Sequence, residues 1–147
     1  MAQYVKGLTH KAYRVTDMEA SLRFYRDCLG MEELFTLDDE GKKWLTYLRI
    51  GGSQLMELFY GGTATAGMDM GEHICFEVED IEETVARIRA CGYSTILDGA
   101  MEPVAGRDGN LECFVRDPDR NLIELMQFGE RAMQFGGPGK ETGRETL

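Results

Sequence analysis

Two stretches, Thr9-His10-Lys11-Ala12-Tyr13-Arg14-Val15-Thr16-Asp17-Met18-Glu19 and Glu72-His73-Ile74-Cys75-Phe76-Glu77-Val78-Glu79-Asp80-Ile81-Glu82, carry His, Val, Asp, an apolar residue and Glu in one register. They are an internal repeat offset by 63 residues. After each Asp, apolar residues recur at spacings of three and four: Met18, Leu22, Tyr25 and Leu29 in the first copy, Ile81, Val85 and Ile88 in the second. That period predicts an amphipathic helix in each half. Asp17 and Asp80 are placed to accept hydrogen bonds from the first free N–H groups, Glu19, Glu82 and Glu83 suit the positive end of the helix dipole, and Gly30 and Gly92 supply stops.

Outward from the helices, each half reads as strand, helix, then three strands. The first half predicts strands near 33–38, 43–50 and 53–59, broken at Asp38-Asp39-Glu40-Gly41 and Gly51-Gly52. The second predicts strands near 94–97, 110–116 and 121–127, broken by a loop over 98–109 and by Asp117-Pro118-Asp119-Arg120-Asn121. Residues 1–128 are expected to form one domain, with module one at about 7–60, a linker with four glycines over 61–71, and module two at about 72–128. The Gly-rich tail, 129–147, has little apolar surface and is expected to be mobile or ordered only against a neighbour.

The chain of 147 residues has a net charge of -10, which opposes encounters with nucleic acid or an anionic membrane and favours a small-molecule substrate. No stretch is apolar for long enough to span a bilayer, and Met-Ala-Gln-Tyr-Val-Lys-Gly lacks the apolar core of a signal peptide, so a cytoplasmic location is expected. Cys28, Cys75, Cys91 and Cys113 show no Cys-x-x-Cys spacing and are expected to be buried thiols without a disulfide.

His10 and His73 are the only histidines, and about fifty residues after each comes a carboxylate inside an apolar run, Leu55-Met56-Glu57-Leu58-Phe59 and Leu122-Ile123-Glu124-Leu125-Met126. Taken singly, a strand histidine is most often a hydrogen-bonded core or surface group. A lone Glu is most often exposed or paired with an arginine, for which Arg14, Arg49, Arg116 and Arg120 are available. The joint pattern shifts the balance, because duplication has kept at matching places the polar groups that are costly to bury. Alternation puts His10 on a face with Ala12 and Arg14, His73 with Cys75 and Glu77, Glu57 with Leu55 and Phe59, and Glu124 with Leu122 and Met126. Two imidazoles and two carboxylates would neutralise a divalent ion and leave positions open for water or substrate, a catalytic arrangement.

These residues resemble the vicinal-oxygen-chelate superfamily and, within it, glyoxalase I. The resemblance spans about 7–128 through Leu8-Thr9-His10, Ser21-Leu22-Arg23-Phe24-Tyr25, Cys28-Leu29-Gly30-Met31, Gln54-Leu55-Met56-Glu57-Leu58, Glu72-His73-Ile74 and Asp117-Pro118-Asp119-Arg120-Asn121-Leu122-Ile123-Glu124-Leu125. It implies an α+β fold of paired βαβββ modules in an eight-stranded cupped mixed sheet, and a homodimer with shared active sites, His10 and Glu57 of one chain meeting His73 and Glu124 of the other. It implies a divalent metal held by His10, Glu57, His73 and Glu124, with nickel or cobalt foremost and zinc also compatible.

The implied reaction converts the hemithioacetal of methylglyoxal and glutathione to S-lactoylglutathione through an enediolate. Glu124 first and Glu57 second are the implied catalytic bases, and Arg14 and Arg107 the implied substrate contacts. Gly61 stands where the family carries an asparagine, and Arg107 alone represents its basic loop, which leaves glutathione, another thiol and an acyl-CoA open as substrates. The same chemistry allows an epimerase of the methylmalonyl-CoA type, and the same fold allows a metal-free binding protein of the bleomycin-resistance type. A ring-cleaving dioxygenase would need a further histidine, which the chain lacks.

Overall fold

The computed structural model describes residues 4–5, 7–63, 72–93 and 102–135. They belong to two compact units, Met1–Ala64 and Thr65–Leu147. Unit one contains β1 (His10–Arg14), α1 (Met18–Leu22) running into a π-helical turn (Arg23–Cys28), β2 (Glu32–Asp39), β3 (Lys42–Gly51) and β4 (Gln54–Phe59). Unit two contains β5 (Ile74–Glu77), α2 (Ile81–Ala90), β6 (Val104–Ala105), β7 (Leu111–Arg116) and β8 (Leu122–Gln127). Among the described residues eight strands form two four-stranded sheets, in the orders β1-β4-β3-β2 and β5-β8-β7-β6. Both sheets are mixed: β4 runs parallel to β1 and antiparallel to β3, and β8 stands likewise between β5 and β7.

The helix signals act as their chemistry requires. Asp17 accepts from the Ala20 N–H at 3.0 Å and Asp80 from the Glu83 N–H at 2.9 Å. Gly30 and Gly92 leave the helices in the left-handed region, at φ 78° and 87°, where a side chain would be strained. In α2, Ile81, Val85 and Ile88 are buried where the helix packs on β7 and β8, each worth about 1.5–3 kcal/mol in apolar burial. The first helix departs from the regular period. The adjacent rings of Phe24 and Tyr25 are both buried, edge to face at 5.0 Å, with Leu22 and Cys28. An α-helix sets adjacent side chains about 100° apart. The wider π turn over Arg23–Cys28 accompanies their joint burial.

Three other expectations meet a different outcome. The predicted strand at 94–97 lies outside the described residues, while the loop expected over 98–109 contains β6, whose two residues pair with Leu111 and Glu112 and are too short to show a period. Part of the tail is ordered on its own unit: residues 133–135 form a 3-10 turn, Ala132 is buried, Phe135 meets Phe128 edge to face at 4.8 Å, and Gln134 donates to Asp108 at 2.6 Å. Residues 136–147 lie outside the described set. Of the cysteines, Cys28 and Cys113 are buried as expected, but Cys75 and Cys91 are exposed, Cys75 on β5 and Cys91 just past α2, and all four are free thiols. Among the described residues no helix is long and apolar enough to cross a membrane.

Candidate functional site

Glu57 sits in the middle of β4, the second strand of its sheet, with Ala12 beside it on β1 and Tyr47 beside it on β3. The flanking Met56 and Leu58 point to the opposite, fully buried face. Glu57 is therefore a carboxylate at 8 % exposure on a sheet face, with the core behind it. Its Oε2 stands 3.5 Å from His10 Nε2, and its Oε1 accepts a hydrogen bond from the Tyr47 phenol. The hydrogen bond to Glu57, then burial, push the Tyr47 phenol upward, so it stays protonated and donates at neutral pH. His10 Nδ1 lies 3.2 Å from Thr9 Oγ1, a contact that can fix the ring so that Nε2 faces the carboxylate.

Unit two repeats this geometry with different neighbours. Glu124, also at 8 % exposure, lies in the middle of β8 between Cys75 on β5 and Phe114 on β7. Its Oε2 is 2.8 Å from His73 Nε2, and the His73 ring stands edge to face with Phe114 at 6.0 Å. Cys75 keeps exposed surface as a residue, yet partial burial of its thiol, then the charge and hydrogen bond of Glu124, then Glu112 and Asp108, push it up to about 12. It is a neutral thiol, and thiols are weak donors. Glu112 is itself raised, by burial first and then by Asp108 and Glu124, whereas Asp108 is lowered, first by the hydrogen bond from Gln134.

The structure thus brings His10 to Glu57 and His73 to Glu124. Among the described residues no group of three or more His, Cys, Asp or Glu is assembled for a metal. The donor chemistry of each pair nevertheless fits one: an imidazole nitrogen faces the oxygen of a nearly buried carboxylate, an arrangement in which a cation can satisfy both. Among the described residues the commoner alternative of an arginine partner is not met: Glu57 and Glu124 pair with His10 and His73, while Arg49 is engaged by Glu32 and the Gly52 carbonyl, and Arg116 by the Arg120 carbonyl. Arg14 lies over the Phe59 ring at 5.6 Å, on the face that carries Glu57. Arg107 is exposed in the turn before β7 and makes no hydrogen bond or ion pair with His73 or Glu124 among the described residues.

Tyr47, Thr9, Cys75 and Phe114 carry no signal in sequence that separates them from ordinary strand residues. Cys75 could have been found by alternation from His73, but Tyr47 depends on the hairpin register.

Two repeated βαβββ units, each with a His–Glu pair at the first and last strands of the unit, define the class of protein. Residues 7–125 match the Glyoxalase/Bleomycin resistance protein/Dioxygenase superfamily, and the chain belongs to that family. It is 35 % identical over 132 residues to a probable lactoylglutathione lyase of Synechocystis sp., covering 84 % of this chain and 97 % of that protein. A putative lactoylglutathione lyase of Brassica oleracea is 31 % identical over 82 % of this chain, which spans only 44 % of that longer protein. The structure of the trypanothione-dependent glyoxalase I of Leishmania major superposes with a TM-score of 0.65 at 31 % identity, covering 84 % of this chain and 87 % of that one.

Proposed function

We propose that this chain is a metal-dependent lyase of the glyoxalase I type, converting the hemithioacetal of methylglyoxal and a thiol to the S-lactoyl thioester. The observation that carries this reading is the duplicated pair: a nearly buried carboxylate turned toward an imidazole Nε2 in each unit. Two such pairs supply the four donors, His10, Glu57, His73 and Glu124, for one divalent ion, nickel or cobalt foremost, and a homodimer is the assembly proposed to complete them. When bound, that ion supplies electrostatic stabilisation of charge developing on the substrate oxygens.

The residues of the chain do the rest. Glu124 takes the proton from one substrate carbon and returns it to the neighbouring carbon, so that atoms and charge balance over the cycle. Glu57 is the second choice for this role. Arg14 and Arg107 offer the cations for carboxylates of the thiol, and a cytoplasmic setting would supply it.

The test is a nickel-reconstituted assay for S-lactoylglutathione formation, run with trypanothione, other thiols and acyl-CoA substrates in parallel. Thioester formation with any thiol upholds the lyase. Isomerisation of an acyl-CoA alone would move the chain to the epimerases of its superfamily, and inactivity with every metal and substrate would overturn the enzymatic reading.

A further inference from the structure

Glu57 and Glu124 hold equivalent places, yet only Glu57 has a hydroxyl across the hairpin. The phenol of Tyr47, directly opposite on β3, donates to Glu57 Oε1 while Oε2 faces His10. The ring that carries this hydroxyl is itself held. Phe35, its cross-strand partner on β2, lies against it with centroids 4.8 Å apart and the planes tilted by 36°. Tyr47 is therefore packed from one side and hydrogen-bonded on the other, and one of the two carboxylate oxygens of Glu57 is already committed. At the matching place in unit two stands Phe114, which offers Glu124 no such bond.

We propose that Tyr47 is a positioning residue: its hydroxyl locks the Glu57 carboxylate in one orientation, making Glu57 the stationary metal ligand and leaving proton transfer to Glu124. The inference rests on the metal-dependent reading above. A hydrogen bond to the outer oxygen of a ligating carboxylate fixes its rotamer before the ion arrives, and losing such a bond typically weakens metal affinity or activity 10–100-fold. With Oε1 held by the phenol, Oε2, on the side of His10, is the oxygen that would be left to hold a cation.

The experiment is a nickel titration of the full chain against a competing chelator, on wild type, Tyr47→Phe and Thr46→Val, with the visible spectrum of the cobalt-loaded proteins as a second readout. Thr46 is the control. It lies on the same strand with its side chain on the opposite face, and its buried hydroxyl bonds Thr36 at 2.8 Å, so Thr46→Val removes a comparable bond away from the site. Tyr47→Phe is expected to bind nickel about 10–100-fold more weakly and to change the cobalt spectrum, while Thr46→Val matches wild type. Equal affinities for wild type and Tyr47→Phe would overturn the positioning role while leaving the metal site intact, and so would an equal loss in Thr46→Val. A wild-type chain that binds no divalent ion would overturn the role and the metal-dependent reading together.

Discussion

Glu57 and Glu124 occupy one position in two copies of the same sheet, each flanked by a parallel strand on one side and an antiparallel strand on the other. Their neighbours differ. Glu57 lies between Ala12 and Tyr47, Glu124 between Cys75 and Phe114. Two residues further along the strands, Phe59 is paired with buried Leu45, whereas Met126 is paired with Glu112. Duplication has kept the donors and let the surroundings diverge: beside its own histidine, Glu57 is restrained by a phenol across the hairpin, whereas Glu124 has a weak thiol donor on one side and an aromatic ring on the other. On the proposed reading, equivalent positions are given unequal chemical work by what lies across the hairpin.

The sharpest way to break this comparison is to remove each carboxylate's charge in turn. Glu124→Gln is expected to lower kcat by about 10²–10⁴-fold with the circular dichroism of the folded protein unchanged, as for loss of a general base. Glu57→Gln should chiefly weaken nickel binding in the chelator titration. The reverse pattern would exchange the two roles. A smaller effect comes from making the surroundings alike: Phe114→Tyr sets a hydroxyl opposite Glu124 and is expected to slow turnover by about tenfold without weakening nickel binding. Steady-state kinetics at saturating substrate would show it, and unchanged turnover would mean that freedom of Glu124 is not what distinguishes the halves.

The two His–Glu pairs were legible because the features that mark them are local and repeated. Alternation along β1, β4, β5 and β8 fixes the faces, and carboxylates inside apolar runs stand out because ionised groups are costly there. The restraint on Glu57 was not legible, and the reason is a register shift. Counting back from Gly51 paired with Gln54 would set Leu48 opposite Glu57, but an irregularity between Arg49 and Gly51 moves the partner to Tyr47. A slip of one residue exchanges the faces of a strand, so a phenol on the site face could not be told from one in the core. The π turn over Arg23–Cys28 was hidden for a related reason: the expected rhythm of Met18, Leu22, Tyr25 and Leu29 accounts for one face only, and the burial of Phe24 beside Tyr25 belongs to tertiary packing. β6 is an edge strand of two residues, below the length at which any period exists.

Weaker effects sharpen the contrast between the acidic and apolar surroundings. Glu112 has its carboxyl raised in the folded chain, by burial, Asp108 and Glu124, so ionising it opposes folding. The penalty is absent below the ordinary carboxylate range and fully present once the pH has risen through the elevated folded value. Glu112→Gln keeps a hydrogen-bond donor for Asp108 and removes the charge. It is expected to raise the melting temperature at pH 7, with the gain disappearing on acidification, and a gain that persists at low pH would assign it to packing instead.

The smallest expected effect lies in the turns that lead into β4 and β8. Gly52 enters β4 at φ 52°, a conformation that glycine adopts freely, whereas the exposed Arg120 adopts φ 71° just before β8. A residue with a Cβ is strained there by roughly 1–2 kcal/mol, and the greater freedom of glycine in the unfolded chain offsets part of the relief. The carbonyl of Arg120 accepts from Arg116 Nη1 at 2.5 Å, and Asp117 accepts from the Asn121 N–H at 2.8 Å, bonds that a substitution of the Arg120 side chain leaves in place. Arg120→Gly is therefore expected to stabilise unit two by about 0.5–1 kcal/mol in denaturant melts. Destabilisation would show that the Arg120 side chain contributes more to the turn than its left-handed backbone costs.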